Sequence, residues 1–291
     1  MMHVTIFGCG YSGMAIAKAF AGGTTRILGT TRSADRLAAL RAEGIEAMLF
    51  DGETIDAALA AEMAATTHLV QSIAPGQAGD PLLRLAGADL GAVMPRLEWI
   101  GYLSTVGVYG NHKGAWVDEA TPIHPVSARS VERVAAEEGW LAFGRAAGIP
   151  VAVLRLAGIY GPGRNAFCNI QKGTARRLIK KDQVFNRIRV EDIAGAARFL
   201  ADHAGGGIYN VTDDEPGPPQ DVIAEAARLM GVEAPAEVPF ETAELSPMAR
   251  SFYGENKRVS NRRLREAGFA FAYPNYRMSL LQLWSTGRWK G

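Results

Sequence analysis

The chain has 291 residues, of which 48% are hydrophobic, and its 31 Lys and Arg residues against 30 Asp and Glu residues leave a net charge of +1. This balance argues against a nucleic-acid or membrane-surface partner, because such proteins present a concentrated basic face. Cys9 and Cys168 are too few for a disulfide scaffold, and no leader segment precedes the first apolar run, so we expect a cytoplasmic protein.

Short β-branched segments alternate with Ala-rich segments through the first two thirds of the chain. Strand-like runs lie at residues 3–8, 25–32, 45–50, 67–74, 97–105 and 149–161, and helical patterns at 14–21 and 33–44 fill the first two gaps. Strands that alternate with helices indicate right-handed βαβ units and a parallel sheet that is covered on both faces. The predicted fold class is therefore α/β.

A glycine-rich motif follows the first strand, with Gly8, Gly10 and Gly13 in the G-x-G-x-x-G spacing. The first glycine permits a tight turn, the second lets the backbone approach a pyrophosphate, and the third lets the helix pack closely on the strand. The helix N-terminus adds free N–H groups and the positive end of a dipole. We therefore predict that a dinucleotide binds at Gly8, Gly10, Tyr11, Ser12 and Gly13.

The end of the second strand indicates which dinucleotide binds. NAD sites place an Asp or Glu about 20 residues after the glycine loop to hold the ribose 2′-hydroxyl, but residues 14–33 contain no acidic residue. Thr31, Arg32 and Ser33 stand there instead, and an arginine between hydroxyls suits a 2′-phosphate. The alternative is a solvated arginine at a helix start. We predict NADP rather than NAD, with Asp51 after the third strand near the adenine.

Four longer segments together resemble the extended short-chain dehydrogenase/reductase superfamily, and within it the NAD-dependent epimerase/dehydratase family. They are WIGYLSTVGVYG (99–110), VAVLRLAGIYGPGRN (151–165), FNRIRVEDIA (185–194) and IYNVTDDEP (208–216). The resemblance implies a Rossmann doubly wound sheet of about seven strands with a smaller C-terminal substrate lobe. We therefore expect residues 1–160 and 186–212 to form the NAD(P)-binding domain, and residues 161–185 and 213–291 to form the substrate-binding lobe.

The same resemblance implies the catalytic residues. This family uses a tyrosine as general acid/base, a lysine one helical turn later that holds the nicotinamide ribose, and a Ser or Thr that orients the substrate oxygen. Thr105 falls at the Ser/Thr position, with Ser104 beside it. Aligned on Glu137, however, Arg129 stands at the tyrosine position and Arg133 at the lysine position. A guanidinium stays charged, so Arg129 either binds an anionic substrate group or lies in solvent.

Three other sources of the proton remain open. One is the pair Tyr109 and Lys113, which has the family's spacing but follows a strand and includes a glycine. Another is a serine at the start of the helix, Ser127 or Ser130, although Ser127 also suits the helix N-cap. A third is a tyrosine from elsewhere in the chain, and the candidates are Tyr102, Tyr160 and Tyr253.

Arginines recur in the segments that the resemblance places around the substrate. The chain has 24 arginines but 7 lysines, and we predict that Arg164, Asn165 and Arg187 bind the substrate. Repeated guanidinium groups favour a negatively charged ligand. The five histidines lack the spacing of metal ligands, so no metal site is predicted.

These observations predict an NADP-dependent oxidoreductase or epimerase that acts on a small, anionic hydroxyl or carbonyl substrate. The alternative is a catalytically inactive NADP-binding sensor or regulatory protein, because the tyrosine–lysine pair is missing. The expected partner is a small-molecule substrate, with no nucleic acid and no membrane. The resemblance also implies a homodimer, since relatives often dimerise through the catalytic helix.

Overall fold

Alternating strands and helices build a seven-stranded sheet. The structure is a computed structural model that describes residues 1–22 and 25–291. The strands are β1 (His3–Phe7), β2 (Arg26–Thr31), β3 (Glu46–Leu49), β4 (His68–Gln71), β5 (Trp99–Thr105), β6 (Trp116–Val117), β7 (Val151–Leu156), β8 (Gly158–Tyr160), β9 (Arg177–Ile179), β10 (Arg187–Arg189), β11 (Gly207–Val211), β12 (Glu237–Pro239) and β13 (Arg258–Val259). The helices are α1 (Tyr11–Phe20), α2 (Ala34–Ala42), α3 (Ala57–Ala65), α4 (Pro81–Ala86), α5 (Leu90–Val93), α6 (Ala128–Ala147), α7 (Ala166–Gln171), α8 (Val190–Asp202), α9 (Pro219–Met230), α10 (Pro247–Phe252), α11 (Arg262–Glu266) and α12 (Tyr276–Ser285).

The strand order of the main sheet is β11-β7-β5-β4-β1-β2-β3. Strand β1 pairs in parallel with both β2 and β4, and the pairs β2–β3 and β4–β5 are parallel as well. All five residues of β1 are buried, as expected for a strand with helices on both faces of its sheet. The predicted α/β fold with a Rossmann sheet is confirmed.

The first helix begins earlier than the sequence pattern predicts, at Tyr11 rather than near residue 14. The glycine loop leads directly into the helix without an intervening turn. The buried positions of α1 recur three to four residues apart, as expected for a helix that packs on one face. They are Ser12, Gly13, Ile16, Ala17 and Phe20.

The run at residues 149–161, predicted as one strand, forms two strands. Strand β7 joins the main sheet, whereas β8 pairs in parallel with β10 in a separate two-stranded sheet. Strand β8 begins at Gly158, where a Cβ would lie 3.1 Å from the carbonyl oxygen of Asn186. Since a side chain there would press on the neighbouring backbone, glycine permits the close approach of the two segments.

The chain divides into two compact units, each built from three segments. The first unit contains Met1–Val108, Pro125–Arg155 and Ile193–Tyr209, and the second contains Tyr109–His124, Leu156–Asp192 and Asn210–Gly291. Large apolar side chains fill each core, among them Phe7, Leu28, Leu69, Ile100 and Trp140 in the first unit and Phe167, Tyr276, Leu280 and Leu283 in the second. Within residues 1–22 and 25–291, no helix has the length and apolar character that crossing a membrane requires.

Candidate functional site

The glycine loop gives each of its three glycines a different environment. Gly8 has φ +83°, and a Cβ there would lie 2.8 Å from the Ile73 side chain. A Cβ at Gly13 would lie 3.0 Å from the Gly8 carbonyl oxygen and 3.2 Å from Ile6. At Gly10 the nearest atom would be 3.9 Å away. The turn and the helix–strand contact therefore require Gly8 and Gly13, whereas the space beside Gly10 is open to a ligand.

The N-terminus of α1 is suited to an anion. Its N-cap residue, Gly10, provides no side-chain hydrogen bond, and the first turn of the helix contains no acidic residue. The Gly10 N–H is turned inward to the Gly8 carbonyl oxygen at 2.7 Å, and Thr30 Oγ1 accepts a hydrogen bond from the Gly8 N–H at 3.1 Å. The positive end of the helix dipole therefore meets no competing protein carboxylate in that turn.

A cavity of about 830 Å³ lies against the glycine loop and the ends of β2 and β3. Six of the predicted cofactor-binding residues line it, namely Gly8, Gly10, Thr31, Arg32, Ser33 and Asp51. Tyr11, Ser12 and Gly13 stand in the first turn of α1, directly after the loop. Two lining arginines, Arg36 and Arg84, were missed by the sequence analysis. The spacing of Arg36, four residues after Arg32 at the start of α2, is the signal that could have identified it.

The arginines of this cavity differ in their pairing. Arg84 lies 3.1 Å from a Glu53 carboxylate oxygen and also donates to the Gly52 carbonyl oxygen at 2.5 Å. Arg32 and Arg36 are exposed, and no carboxylate of a described residue lies within 4.0 Å of either guanidinium. The cavity therefore has two cationic groups, one directly after β2 and one in the first turn of α2, that no carboxylate of a described residue neutralises.

Asp51 anchors a turn at the edge of the same cavity. Its Oδ1 accepts hydrogen bonds from the N–H groups of Glu53 at 2.7 Å and Thr54 at 3.1 Å. These hydrogen bonds, with Glu53 contributing most, hold the pKa of the Asp51 carboxyl below its usual value. The carboxylate is therefore ionised at neutral pH and fixed toward the backbone.

Hydroxyl groups gather around Gly107, directly after β5. Thr105 Oγ1 accepts a hydrogen bond from the Gly107 N–H at 3.1 Å. A Cβ at Gly107 would lie 3.1 Å from Ser130 Oγ and 3.4 Å from Thr105 Oγ1. Ser130 Oγ is in turn 2.9 Å from Ser127 Oγ, and Ser127 caps α6 by accepting from the Ser130 N–H. The N-cap predicted at Ser127 is confirmed.

Ser104 lies in a different environment from Thr105, because successive side chains of a strand point to opposite faces. It is buried and donates to Glu137 Oε1, and Glu137 is paired with Arg155 at 2.7 Å. The Ser104 hydroxyl is thus held in a buried ion-pair network between β5, α6 and β7. The structure does not bring it together with the hydroxyls around Gly107.

The two arginines of α6 also differ. Arg133 donates from Nη1 to the Leu103 carbonyl oxygen, and its guanidinium lies 5.9 Å from the centre of the Tyr102 ring. Arg129 is exposed in the first turn of α6. Arg133 is therefore held on β5, and Arg129 is the more accessible of the two cations.

Three of the tyrosines considered as alternative proton donors are buried. Tyr109 is buried and donates to Asn210 Oδ1 at 2.8 Å. Tyr102 is fully buried, with its ring 6.4 Å from that of Trp140. Tyr253 is buried with its ring 4.9 Å from that of Phe240. These contacts favour structural roles for the three tyrosines.

The predicted substrate residues lie in the second unit. Asn165 is buried, and its Nδ2 donates to the carbonyl oxygens of Gly161 and Trp289 at 2.7 Å each, while its Oδ1 caps α7. Arg164 is exposed beside it. Arg187 is partly buried against backbone carbonyls. Among the residues that the structure describes, no group of three His, Cys, Asp or Glu side chains is placed to hold a metal ion.

Comparisons with known proteins agree with this geometry. The model of the NAD dependent epimerase/dehydratase family matches residues 4–212. The chain is 30% identical to Protein YeeZ of Escherichia coli K12 over 288 residues, which cover 94% of this chain and 97% of that protein. It is 29% identical over 183 residues to a 3-diazoavenalumate denitrifying reductase from Streptomyces, with 56% of this chain and 58% of that protein covered.

A solved structure matches the whole fold. It is described as a functionally unknown conserved protein from Silicibacter pomeroyi and superimposes with a TM-score of 0.91 at 46% identity. The superposition covers 99% of this chain and 100% of that one. These matches confirm the resemblance that the sequence motifs indicated.

Proposed function

Because the chain belongs to the NAD dependent epimerase/dehydratase family, whose fold binds NAD(P), we propose that it prefers NADP(H) and acts as an oxidoreductase or epimerase. Its substrate is a small, anionic hydroxyl or carbonyl compound. The observation that supports the cofactor preference is the cavity beside the glycine loop, which is lined by Arg32 after β2 and Arg36 in α2, neither with a described carboxylate within 4.0 Å. The match to a reductase supports the reaction class.

The charges around this cavity favour a 2′-phosphate over a 2′-hydroxyl. An NAD site holds the ribose through a carboxylate at the end of the second strand, and here β2 ends at Thr31, followed by Arg32. Glu53 is neutralised by Arg84, and Asp51 is held by backbone N–H groups. Among the described residues that line this cavity, Arg32 and Arg36 are therefore the arginines without a carboxylate partner, and an arginine binds a phosphate through two parallel hydrogen bonds.

The residues around Gly107 orient the substrate and move a proton. When bound, the nicotinamide cofactor supplies or accepts a hydride. Thr105 orients the substrate oxygen, and the hydroxyls of Ser130 and Ser127 pass a proton between that oxygen and solvent. Ser127 is partly exposed, so its hydroxyl can exchange with water. Arg129, exposed at the start of α6, attracts the negative charge of the substrate.

A second candidate is an NADP-binding sensor or regulatory protein without catalysis. The observation that favours it is the hydrogen bond of Arg133. This residue occupies the lysine position but donates to the Leu103 carbonyl oxygen. Both candidates bind cofactor, so they differ in turnover. An active enzyme loses turnover on Thr105→Ala or Arg129→Ala, whereas a sensor has no turnover to lose.

The first experiment is a titration with NADPH and NADH, followed by nicotinamide fluorescence. We expect NADPH to bind about 10–100-fold more tightly than NADH, since one charged phosphate interaction is worth about 1.5–3 kcal/mol. Arg32→Ala should remove most of that difference. Arg41→Ala is the matched control, because Arg41 is an exposed arginine of α2 that does not line the cavity. Equal affinity for NADH and NADPH contradicts the NADP preference, and binding of neither contradicts the proposed function.

A further inference from the structure

Arg187 is a partly buried cation with no carboxylate partner among the residues that the structure describes. Its Nη1 donates to the carbonyl oxygens of Phe185 at 3.0 Å and Gly217 at 3.1 Å, and its Nη2 donates to that of Pro218 at 3.4 Å. No carboxylate oxygen of a described residue lies within 4.0 Å of its guanidinium. Neutral carbonyl groups therefore hold the arginine in place without cancelling its charge.

Arg189, two residues along the same strand, is paired with a carboxylate. Its Nε and Nη2 donate to the two carboxylate oxygens of Glu191 at 2.6 Å and 2.8 Å. Buried guanidinium groups are normally paired in this bidentate way, because an uncompensated buried charge is costly. The isolation of Arg187 is therefore a local feature of its position and not a general property of β10.

The Asp213 N–H donates to the Arg187 carbonyl oxygen at 2.8 Å, so the two residues lie side by side, but no carboxylate oxygen of Asp213 lies within 4.0 Å of the guanidinium. The Asp213 carboxyl is 1% exposed, its Oδ1 accepts from the Glu215 N–H at 3.2 Å, and its Oδ2 has no hydrogen-bond partner among the described residues. Burial raises the pKa of Asp213 to about 8, although the Glu215 N–H and the charge of Arg187 oppose the shift. At neutral pH this carboxyl is consequently an uncharged O–H donor.

Tyr160 pairs with Arg189 across β8 and β10, two residues from Arg187, and its hydroxyl is the third polar group of this cluster. The hydroxyl is buried and does not meet full hydrogen-bond geometry with any residue that the structure describes, although the nearby Ser279 hydroxyl interacts with it. Burial raises the pKa of the Tyr160 hydroxyl, so the phenol stays protonated at neutral pH. Buried polar atoms are nearly always paired, so unpaired ones concentrated in one place indicate a bound molecule or ordered water.

We propose that Arg187, Asp213 and Tyr160 form a binding site for the carboxylate group of a small molecule. The guanidinium supplies the positive charge, and the two O–H groups donate hydrogen bonds to the carboxylate oxygens. This inference rests on the proposed function, because it narrows the small anionic ligand of the chain to carboxylates.

The surrounding charges select a monoanion over a phosphate. The charged and titratable groups near Asp213 and Arg187 come from β8, β10, the segment after β11, α9 and α12, and they are Tyr160, Arg187, Arg189, Asp214, Glu215, Asp221, Tyr276 and Arg277. Arg265 and Arg277 are paired with Asp214 and Glu215. Arg187 has no carboxylate of a described residue within 4.0 Å, and the more distant charge of Asp221 also acts on it, so the site suits a single negative charge better than two.

The test is a titration of the uniformly ¹⁵N-labelled protein, with and without saturating NADP⁺, followed by amide chemical shifts. The probes are lactate, its neutral amide lactamide, and inorganic phosphate. We expect saturable lactate binding with a Kd on the order of millimolar, much weaker phosphate binding and no lactamide binding. Arg187→Met should weaken lactate binding at least about tenfold. Arg228→Met is the control, because Arg228 is an exposed arginine of the second unit that is already paired with Glu225.

The pH dependence tests the role of Asp213 separately. Lactate affinity should be level near pH 6–7 and fall about tenfold per pH unit above pH 8, as the ionised carboxylate repels the ligand. Asp213→Asn keeps an N–H donor and should abolish that fall. Tyr160→Phe removes one donor and should weaken lactate binding about three- to tenfold. If Arg187→Met does not fold, the inference is tested by the pH dependence of lactate affinity in Asp213→Asn and by the lactate affinity of Tyr160→Phe.

Several outcomes overturn the inference. One is equal binding of lactate and lactamide, and another is an unchanged pH profile in Asp213→Asn. A protein that binds NADPH but shows no lactate binding in either cofactor state also refutes this site while leaving the proposed function intact. Lactate binding without NADPH binding supports this site but contradicts the proposed function.

Discussion

The glycines of the glycine loop have different structural roles. Gly13 is required by packing, since a Cβ there would press on the Gly8 carbonyl oxygen and on Ile6. Gly10 is free of such contacts, and its φ of −86° is accessible to any residue. The proposed cofactor explains why position 10 is nevertheless a glycine, because the pyrophosphate approaches the backbone there.

This difference predicts opposite behaviour for two variants. Gly13→Val should lower the free energy of unfolding by about 1–3 kcal/mol, because the side chain pushes α1 away from β1. Gly10→Ala should leave the free energy of unfolding within about 0.5 kcal/mol of the original and weaken NADPH binding at least tenfold. Urea unfolding and nicotinamide fluorescence measure the two quantities. Unaltered NADPH binding by Gly10→Ala would contradict the proposed position of the pyrophosphate.

At the scale of elements, helix α6 is fixed to the sheet by a buried polar network. Glu137 on α6 accepts from Ser104 on β5 and from Arg155 on β7, and the side chains of Arg155 and Glu137 are only 4% and 3% exposed. Such a network orients the helix that presents Ser130 and Arg129. It also explains why Ser104 differs from Thr105, although the two are adjacent in sequence.

Removing the acceptor Glu137 and removing the donor Ser104 should lower the free energy of unfolding by different amounts. Glu137→Ala leaves the Arg155 charge buried without its carboxylate and should lower the free energy of unfolding by about 3–5 kcal/mol. Ser104→Ala removes one hydroxyl donor and should cost about 1 kcal/mol. Urea unfolding of both variants and of the double variant Glu137→Leu/Arg155→Leu makes the comparison, and the double variant should recover stability relative to Glu137→Ala. Similar costs for both single variants would mean that the ion pair contributes little.

On the scale of the whole molecule, the chain passes repeatedly from one unit to the other. Each unit is assembled from three separate segments, so a cut at any single point of the sequence isolates neither. The predicted boundaries of the two domains stay a prediction. An unfolding experiment on this protein therefore uses the full chain.

Asp213 should make this stability depend on pH. Its pKa is about 8 in the folded chain against an ordinary 3.8, so between those values the folded state binds more protons than the unfolded state. The free energy of unfolding therefore decreases as pH rises from about 4 to about 8. His3 and His68, whose pKa values burial lowers, act in the opposite direction but only below pH 6.5.

The comparison of Asp213→Asn with the original chain isolates this effect. Urea unfolding at pH 6.5, 7.25 and 8 should show a decline in stability for the original chain and a flatter profile for Asp213→Asn. The difference between the two proteins should grow by about 1–2 kcal/mol over this range. Parallel profiles would show that the Asp213 carboxyl is already ionised when buried.

The sequence by itself determined the fold class, the family and the position of the glycine loop. These follow from short-range patterns, because strand–helix alternation and glycine spacing act on neighbouring backbone atoms. The break between β7 and β8 was missed, since both halves of the apolar run have the same strand-like composition. The assignments of Thr105, Arg129 and the cofactor-binding residues stay predictions.

Tertiary structure alone decided which side chains are free to act. The sequence pattern did not mark Arg36 or Asp213, whereas the folded chain places Arg36 in the wall of the cavity beside the glycine loop and buries Asp213. Ser104 and Asn165, which the sequence pattern marks as site residues, are held by Glu137 and by Trp289. A sequence pattern indicates the type of a side chain, but its charge state and its free hydrogen-bonding capacity depend on burial and on partners that only the folded chain brings together.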